Sequence, residues 1–181
     1  MADEQLVNEL PQEHPDLAPL SFLLGRWEGV GKGDYPTIEA FDFIQELTFT
    51  HNGKPFLIYN SRSWLLEHDA DGQRVKGRPL GMETGFWRPQ PGGQLEVLLT
   101  HPTGITEIYV GEVSGTRVEI ATDAVVRTET AKPYVAGKRL YGLVDSQREG
   151  EKDLAYAFDM AAMGQSLQPH LWARLEWAWT D

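Results

Sequence analysis

Turn chemistry recurs along this chain every eight to twelve residues, and the stretches left between the turns are short and rich in Val, Ile, Thr, Tyr, Phe and Trp. The separators are Gly31 to Pro36, His51-Asn52-Gly53-Lys54, Asp69-Ala70-Asp71-Gly72, Pro91-Gly92-Gly93, Pro102-Thr103-Gly104, Ser114-Gly115, Lys132 to Gly137 and Arg148-Glu149-Gly150. Asn52-Gly53 and Asp71-Gly72 supply the positive φ angles that tight hairpins need. About ten strand-like runs result. Within one of them Phe41, Phe43, Leu47 and Phe49 share a face, and Asp42, Glu46 and Thr48 occupy the other. A sheet with one wet face must hide its edges, and closure removes them. The expected fold is all-β, an antiparallel up-and-down barrel of about ten strands.

The two ends of the chain read differently. Residues 1–15 are polar, acidic and broken by Pro11 and Pro15, and are expected to form a mobile lead-in to one domain spanning 16–181. From Asp16 to Leu24, Leu17, Leu20, Leu23 and Leu24 recur at helical spacing, with Asp16 as the cap, so one short N-terminal helix is expected. The closing run, Pro169 to Thr180, fits a helical stripe through Leu167, Leu171, Leu175 and Ala178. It also fits a strand in which Leu171, Ala173, Leu175, Trp177 and Trp179 alternate. The strand suits the β context better, but its parity places His170 opposite the apolar row, so a bulge at the strand entrance would have to re-aim that side chain.

Charge and cysteine usage exclude several functions. Sixteen basic against twenty-seven acidic residues give a formal net charge of −11, which repels phosphate backbones and anionic membrane surfaces. With no cysteine there is no disulfide, thiolate site, iron–sulfur cluster or cysteine nucleophile. The N-terminus lacks an apolar run and a basic start, so a cytoplasmic location is the expectation. The five histidines, His14, His51, His68, His101 and His170, show no i, i+4 spacing, so a multi-histidine zinc site is not expected. Ser61, Ser63 and Ser166 lie in no Gly-x-Ser-x-Gly elbow.

Gly25-Arg26-Trp27-Glu28-Gly29-Val30-Gly31 reads G-x-W-x-G-x-G. A dinucleotide fingerprint needs a preceding strand, a following helix and wider spacing. A structural reading fits better: Trp27 plugs a barrel base, while Gly29 and Gly31 let the first strand lie against another backbone. His51 and His101 sit beside turn residues, where histidine commonly satisfies backbone groups; the alternative is that one of them lines a pocket. Met82, Met160 and Met163 are soft fillers of a core or a cofactor pocket.

Taken with that motif, Tyr35-Pro36-Thr37-Ile38, the segment Phe49 to Leu57, Glu83-Thr84-Gly85-Phe86, His101 to Glu107 and the segment Met163 to Leu171 follow in order, and in this the chain resembles the nitrobindin family. The resemblance covers nearly everything from Leu20 onward. It implies a lipocalin- and fatty-acid-binding-protein-like barrel holding one haem b per chain, with His170 as the iron ligand and Thr37 and Lys138 also touching haem, Lys138 through a propionate. It also implies binding of nitric oxide and isomerisation of peroxynitrite to nitrate at ferric iron. Those small molecules are then the partners, and pairing of two chains in a homodimer stays open. The competing reading is a non-catalytic carrier of a fatty acid or other apolar ligand, which would want Arg or Tyr for a carboxylate and would have no use for His170.

Overall fold

The structure, a computed structural model, describes residues 11–178. Ten strands follow one another: β1 (Gly25–Tyr35), β2 (Ile38–Thr50), β3 (Leu57–His68), β4 (Arg74–Gln90), β5 (Gln94–His101), β6 (Ile105–Ser114), β7 (Arg117–Arg127), β8 (Tyr134–Asp145), β9 (Lys152–Ala162) and β10 (Gln168–Ala178). Each pairs antiparallel with its neighbours in sequence, and β1 also pairs with β10, so the sheet closes into the expected up-and-down barrel. Gly53 and Gly72 take positive φ angles of 82° and 78°, as the turn chemistry requires. Among the described residues no helix is long and apolar enough to cross a membrane.

The short helix is present at Pro15–Leu23, but it is 3-10 rather than α. Its apolar residues explain the choice: Leu17, Leu20 and Leu23 recur every third position and are all fully buried. A helix with three residues per turn stacks them on one line, and Pro19 removes a donor that an α-helix would use. The cap differs from the expectation as well. Pro15 opens the helix, so the capping position falls to His14, whose Nδ1 accepts from the Asp16 backbone N–H at 3.2 Å. Of the lead-in expected over residues 1–15, residues 1–10 lie outside the described ones. Glu13 is engaged, its carboxylate accepting from the Ser21 hydroxyl.

The G-x-W-x-G-x-G motif runs along the seam where the barrel closes. Trp27 is buried, and its Nε1 donates to the Leu23 carbonyl at 2.8 Å, tying the helix to the base of β1. Gly29 opposes Leu175 of β10, and a Cβ there would lie 2.2 Å from the Arg174 carbonyl oxygen. Those atoms are backbone and cannot swing aside. Gly29→Ala is therefore expected to destabilise the fold by about 2–3 kcal/mol through overpacking, read as a lower urea midpoint with an unchanged slope.

Inside, the half nearest the helix is filled by Phe49, Tyr59, Trp87, Tyr141 and Tyr156, whose ring centroids lie 5.0 to 5.9 Å apart. Such contacts add to the area buried and leave that end solid. At the other end β7 and β8 pair only over Arg117–Ala121 against Lys138–Gly142, and beyond that point the wall loosens. This is the end at which β5 stops and β10 begins, and it is open.

Candidate functional site

A cavity of about 540 Å³ occupies the open end, a size in the range of cofactor sites. Phe41, Phe43, Leu80, Ile105, Phe158 and Met160 make its walls apolar, and Ile38 and Met82 extend them toward the mouth. His170 and Leu171 line the same cavity although they are consecutive on β10. In a regular strand two consecutive side chains cannot face one side. The register supplies the answer: Pro169 opposes Asp159 and Leu171 opposes Phe158, so the ladder slips at His170 and the bulge turns its side chain inward.

The ring is held at a defined angle. Nδ1 of His170 lies 3.1 Å from the Asp34 carbonyl oxygen. A carbonyl only accepts, so Nδ1 carries the proton and Nε2 presents a lone pair. Tyr35 and Phe158 meet the imidazole edge-on at centroid distances of 5.4 and 5.9 Å. Tyr35 is itself fixed, its hydroxyl accepting from the Ala162 backbone N–H at 3.0 Å. Burial lowers the His170 pKa, with the Asp34 hydrogen bond and charge opposing it, and the net shift favours the neutral ring that ligates metals.

Across the cavity lies a polar network, three of whose members, Glu83, His101 and Glu107, fall in the motif segments, although nothing in the sequence joins them into one site. Arg139, on β8, is buried and points its Nη1 to Glu83 of β4 at 2.7 Å and its Nε to the Tyr109 hydroxyl at 3.0 Å. Its Nη2 is 3.6 Å from Glu107 of β6. Glu107 also accepts from Tyr109 at 2.6 Å, from His101 Nε2 at 2.6 Å and from the Tyr134 hydroxyl. Burial alone would raise the Glu107 pKa, but the hydrogen bond from His101, the Arg139 charge and the two phenols outweigh it and hold the carboxyl at about 2. Burial pushes both phenols up, so Tyr109 and Tyr134 remain donors.

The other residues singled out from the sequence are placed as follows. Thr37 sits in the two-residue turn between β1 and β2, exposed at the rim beside Ile38. Lys138 is not brought to the cavity: Arg139 and Tyr141 face inward, so Lys138 faces outward, where it pairs with Glu119 of β7 at 2.7 Å. The lysine on the cavity lining is Lys132, from the β7–β8 connection. His51 accepts from the Gly53 backbone N–H at 3.3 Å, a structural task of the kind expected beside a turn. His101 is the histidine that lines the cavity as well as bonding to Glu107. Met82 and Met160 line it too, whereas Met163 sits at positive φ in the β9–β10 turn.

Apolar walls, the His170 imidazole with its free lone pair and a cation at the mouth fit a flat, largely apolar metal-bearing group with acidic substituents. Comparison with known proteins agrees with that reading. The profile of the THAP4-like, heme-binding beta-barrel domain matches residues 16–176. The chain belongs to this family.

Two relatives and one solved structure match it over nearly their whole length. A peroxynitrite isomerase of Nocardioides sp. is 56% identical over 168 residues, which cover 92% of this chain and 96% of the relative. A ferric nitrobindin-like protein of Thermobifida fusca is 46% identical over 175 residues, covering 90% and 94% respectively. The crystal structure of Rv2717c from M. tuberculosis superposes with a TM-score of 0.77 at 39% identity, covering 93% of this chain and all of that one. The nitrobindin resemblance drawn from the sequence is thereby established at the level of family and fold.

Proposed function

We propose that this chain holds one haem b in the open end of its barrel and isomerises peroxynitrite to nitrate there, with nitric oxide binding at the same position. The observation that carries the reading is the His170 geometry. Its Nδ1–H is committed to the Asp34 carbonyl, and its Nε2 is left for a metal on the wall of a cavity of cofactor size. That several relatives are named peroxynitrite isomerase supports the choice of reaction.

Bound there in the ferric state, the haem would supply a Lewis acid toward the peroxo oxygen. The chain's own residues do the rest. His170 binds and orients the group, with Tyr35 and Phe158 flanking its ring. Phe41, Phe43, Leu80 and Ile105 exclude bulk water from its faces. Lys132 at the mouth is the cation available to a propionate, in the part first given to Lys138, and the Thr37 hydroxyl can hydrogen-bond at the rim.

A lipid carrier would want a free Arg or Tyr for its carboxylate, and Tyr134 on the lining already donates to Glu107. Arg139 is the interior candidate, and its guanidinium already faces Glu83 and Glu107. On titration with haemin, the Soret band is expected to sharpen and to saturate at one equivalent, and to change shape with nitric oxide. In stopped flow, peroxynitrite decay should then accelerate in proportion to ferric protein. Decay no faster than in buffer would overturn the catalytic part, and no sharpened Soret band the binding part.

A further inference from the structure

We propose that His101, positioned by Glu107, is a catalytic residue: it takes the proton from the acid form of a small oxygen ligand bound across the cavity from His170, and returns it as a hydrogen bond to the resulting anion. The proposal rests on the reading of His170 as the iron ligand and adds the group that meets the substrate. In a closed ring of ten strands the strand diametrically opposite β10 is β5, five steps away in either direction. His101 is the last residue of β5, at the same open end where His170 enters β10, and it lines the same cavity. Whatever binds on the side of the pocket away from His170 faces the wall that His101 belongs to.

The ring is prepared for that role by its partner. Glu107 is buried and, as a carboxylate, can only accept, so the 2.6 Å contact fixes the proton of His101 on Nε2. Nδ1 is then the ring nitrogen with a lone pair, and among the described residues no protein group is bonded to it. Glu107 is in turn locked by Tyr109, Tyr134 and Arg139. This is the base-and-orienter arrangement of general acid–base sites. For peroxynitrous acid the step balances simply. The O–H bond breaks, an N–H bond forms at Nδ1, and the peroxynitrite anion remains hydrogen-bonded to that N–H. After rearrangement nitrate leaves, and Nδ1 returns its proton to water. Nitric oxide has no proton to give and gains nothing from the residue.

The test uses the full chain reconstituted with haemin, comparing wild type with His101→Phe and His101→Gln. Fluoride, a small anion that accepts hydrogen bonds and has a weak conjugate acid, is the equilibrium probe, and nitric oxide is the control. In His101→Phe, fluoride affinity should fall at least about tenfold and the peroxynitrite rate about 100-fold, with nitric oxide affinity within about twofold. His101→Gln, able to hydrogen-bond but not to take a proton, should recover part of the fluoride affinity and little of the rate. In the haem-free protein, ¹⁵N correlation spectra should show His101 protonated on Nε2, a preference that Glu107→Gln relaxes. Unchanged fluoride affinity and rate in both His101 variants, or a proton on Nδ1 in the wild type, would overturn the proposal. A wild type that takes up no haemin instead removes the parent reading, and this one with it, from the Soret band alone.

Discussion

His170→Ala is expected to lower haem affinity by well over about 100-fold, because loss of a residue that merely hydrogen-bonds to a metal ligand already costs about 10- to 100-fold. Haemin titration should leave the broad band of free haemin where the wild type gives a sharp Soret band. The barrel should stand. His170 sits at a bulge, only half-buried, and its one hydrogen bond is to a backbone carbonyl in the neighbouring strand. Far-ultraviolet circular dichroism and the thermal midpoint should therefore match the wild type, to within about 1 kcal/mol. Imidazole in solution should restore part of the absorption, since the cavity keeps its apolar walls. A wild-type spectrum in the alanine variant would mean that some other group holds the iron, and His101 would be examined first.

Arg139→Met should be the most destabilising single change in the interior. The arginine lies within 2.7 Å of Glu83 and 3.6 Å of Glu107 and also donates to Tyr109 and Tyr141. Methionine fills much of the same volume, so the loss is electrostatic rather than steric. It leaves the buried Glu107 and the part-buried Glu83 without the counter-charge they share, a defect of about 3–5 kcal/mol. In a chain of this size that corresponds to a fall in Tm of roughly 10 °C. Adding Glu107→Gln should recover part of it by removing one of the stranded charges. Simple additivity of the two changes would show that the residues do not act as a unit.

The outline of the barrel was written plainly in the chain, because turn residues and period-two alternation are local signals. Even the awkward parity of His170 was informative: it demanded a bulge, and the register slips at that residue. The short helix was located, but its type was hidden until the three-residue spacing of Leu17, Leu20 and Leu23 was seen together with their complete burial. Lys138, which the resemblance implied at a propionate, lies on the outer face of β8. On β8 Tyr134, Arg139 and Tyr141 face inward while Val135 and Leu140 face solvent, so hydropathy alone does not sort the two faces of the strand. The slip in register between Tyr134 and Ala136 adds to the difficulty.

The Glu83, Glu107 and Arg139 cluster was illegible for a different reason. Its members come from β4, β6 and β8, and only closure of the sheet brings alternate strands face to face across the interior. No spacing rule within one segment can encode such a meeting. What the sequence did carry was that Glu83 and Glu107 fall in motif segments, and that inward positions on these strands bear charges where alternation calls for apolar residues. In a barrel, polar residues on the buried parity mark the place to look for chemistry.

One pairing stands apart from the other nine. Each of those joins neighbours along the chain, whereas β1 meets β10 across about 150 positions, from Arg26 to Ala178. Loop-closure entropy falls almost wholly on that one contact, so hairpins can zip early while the cylinder waits for its last staple. Until then two long, unprotected edges are exposed to other chains. The tryptophan and glycines of the opening motif therefore govern how briefly the nascent molecule is vulnerable to aggregation.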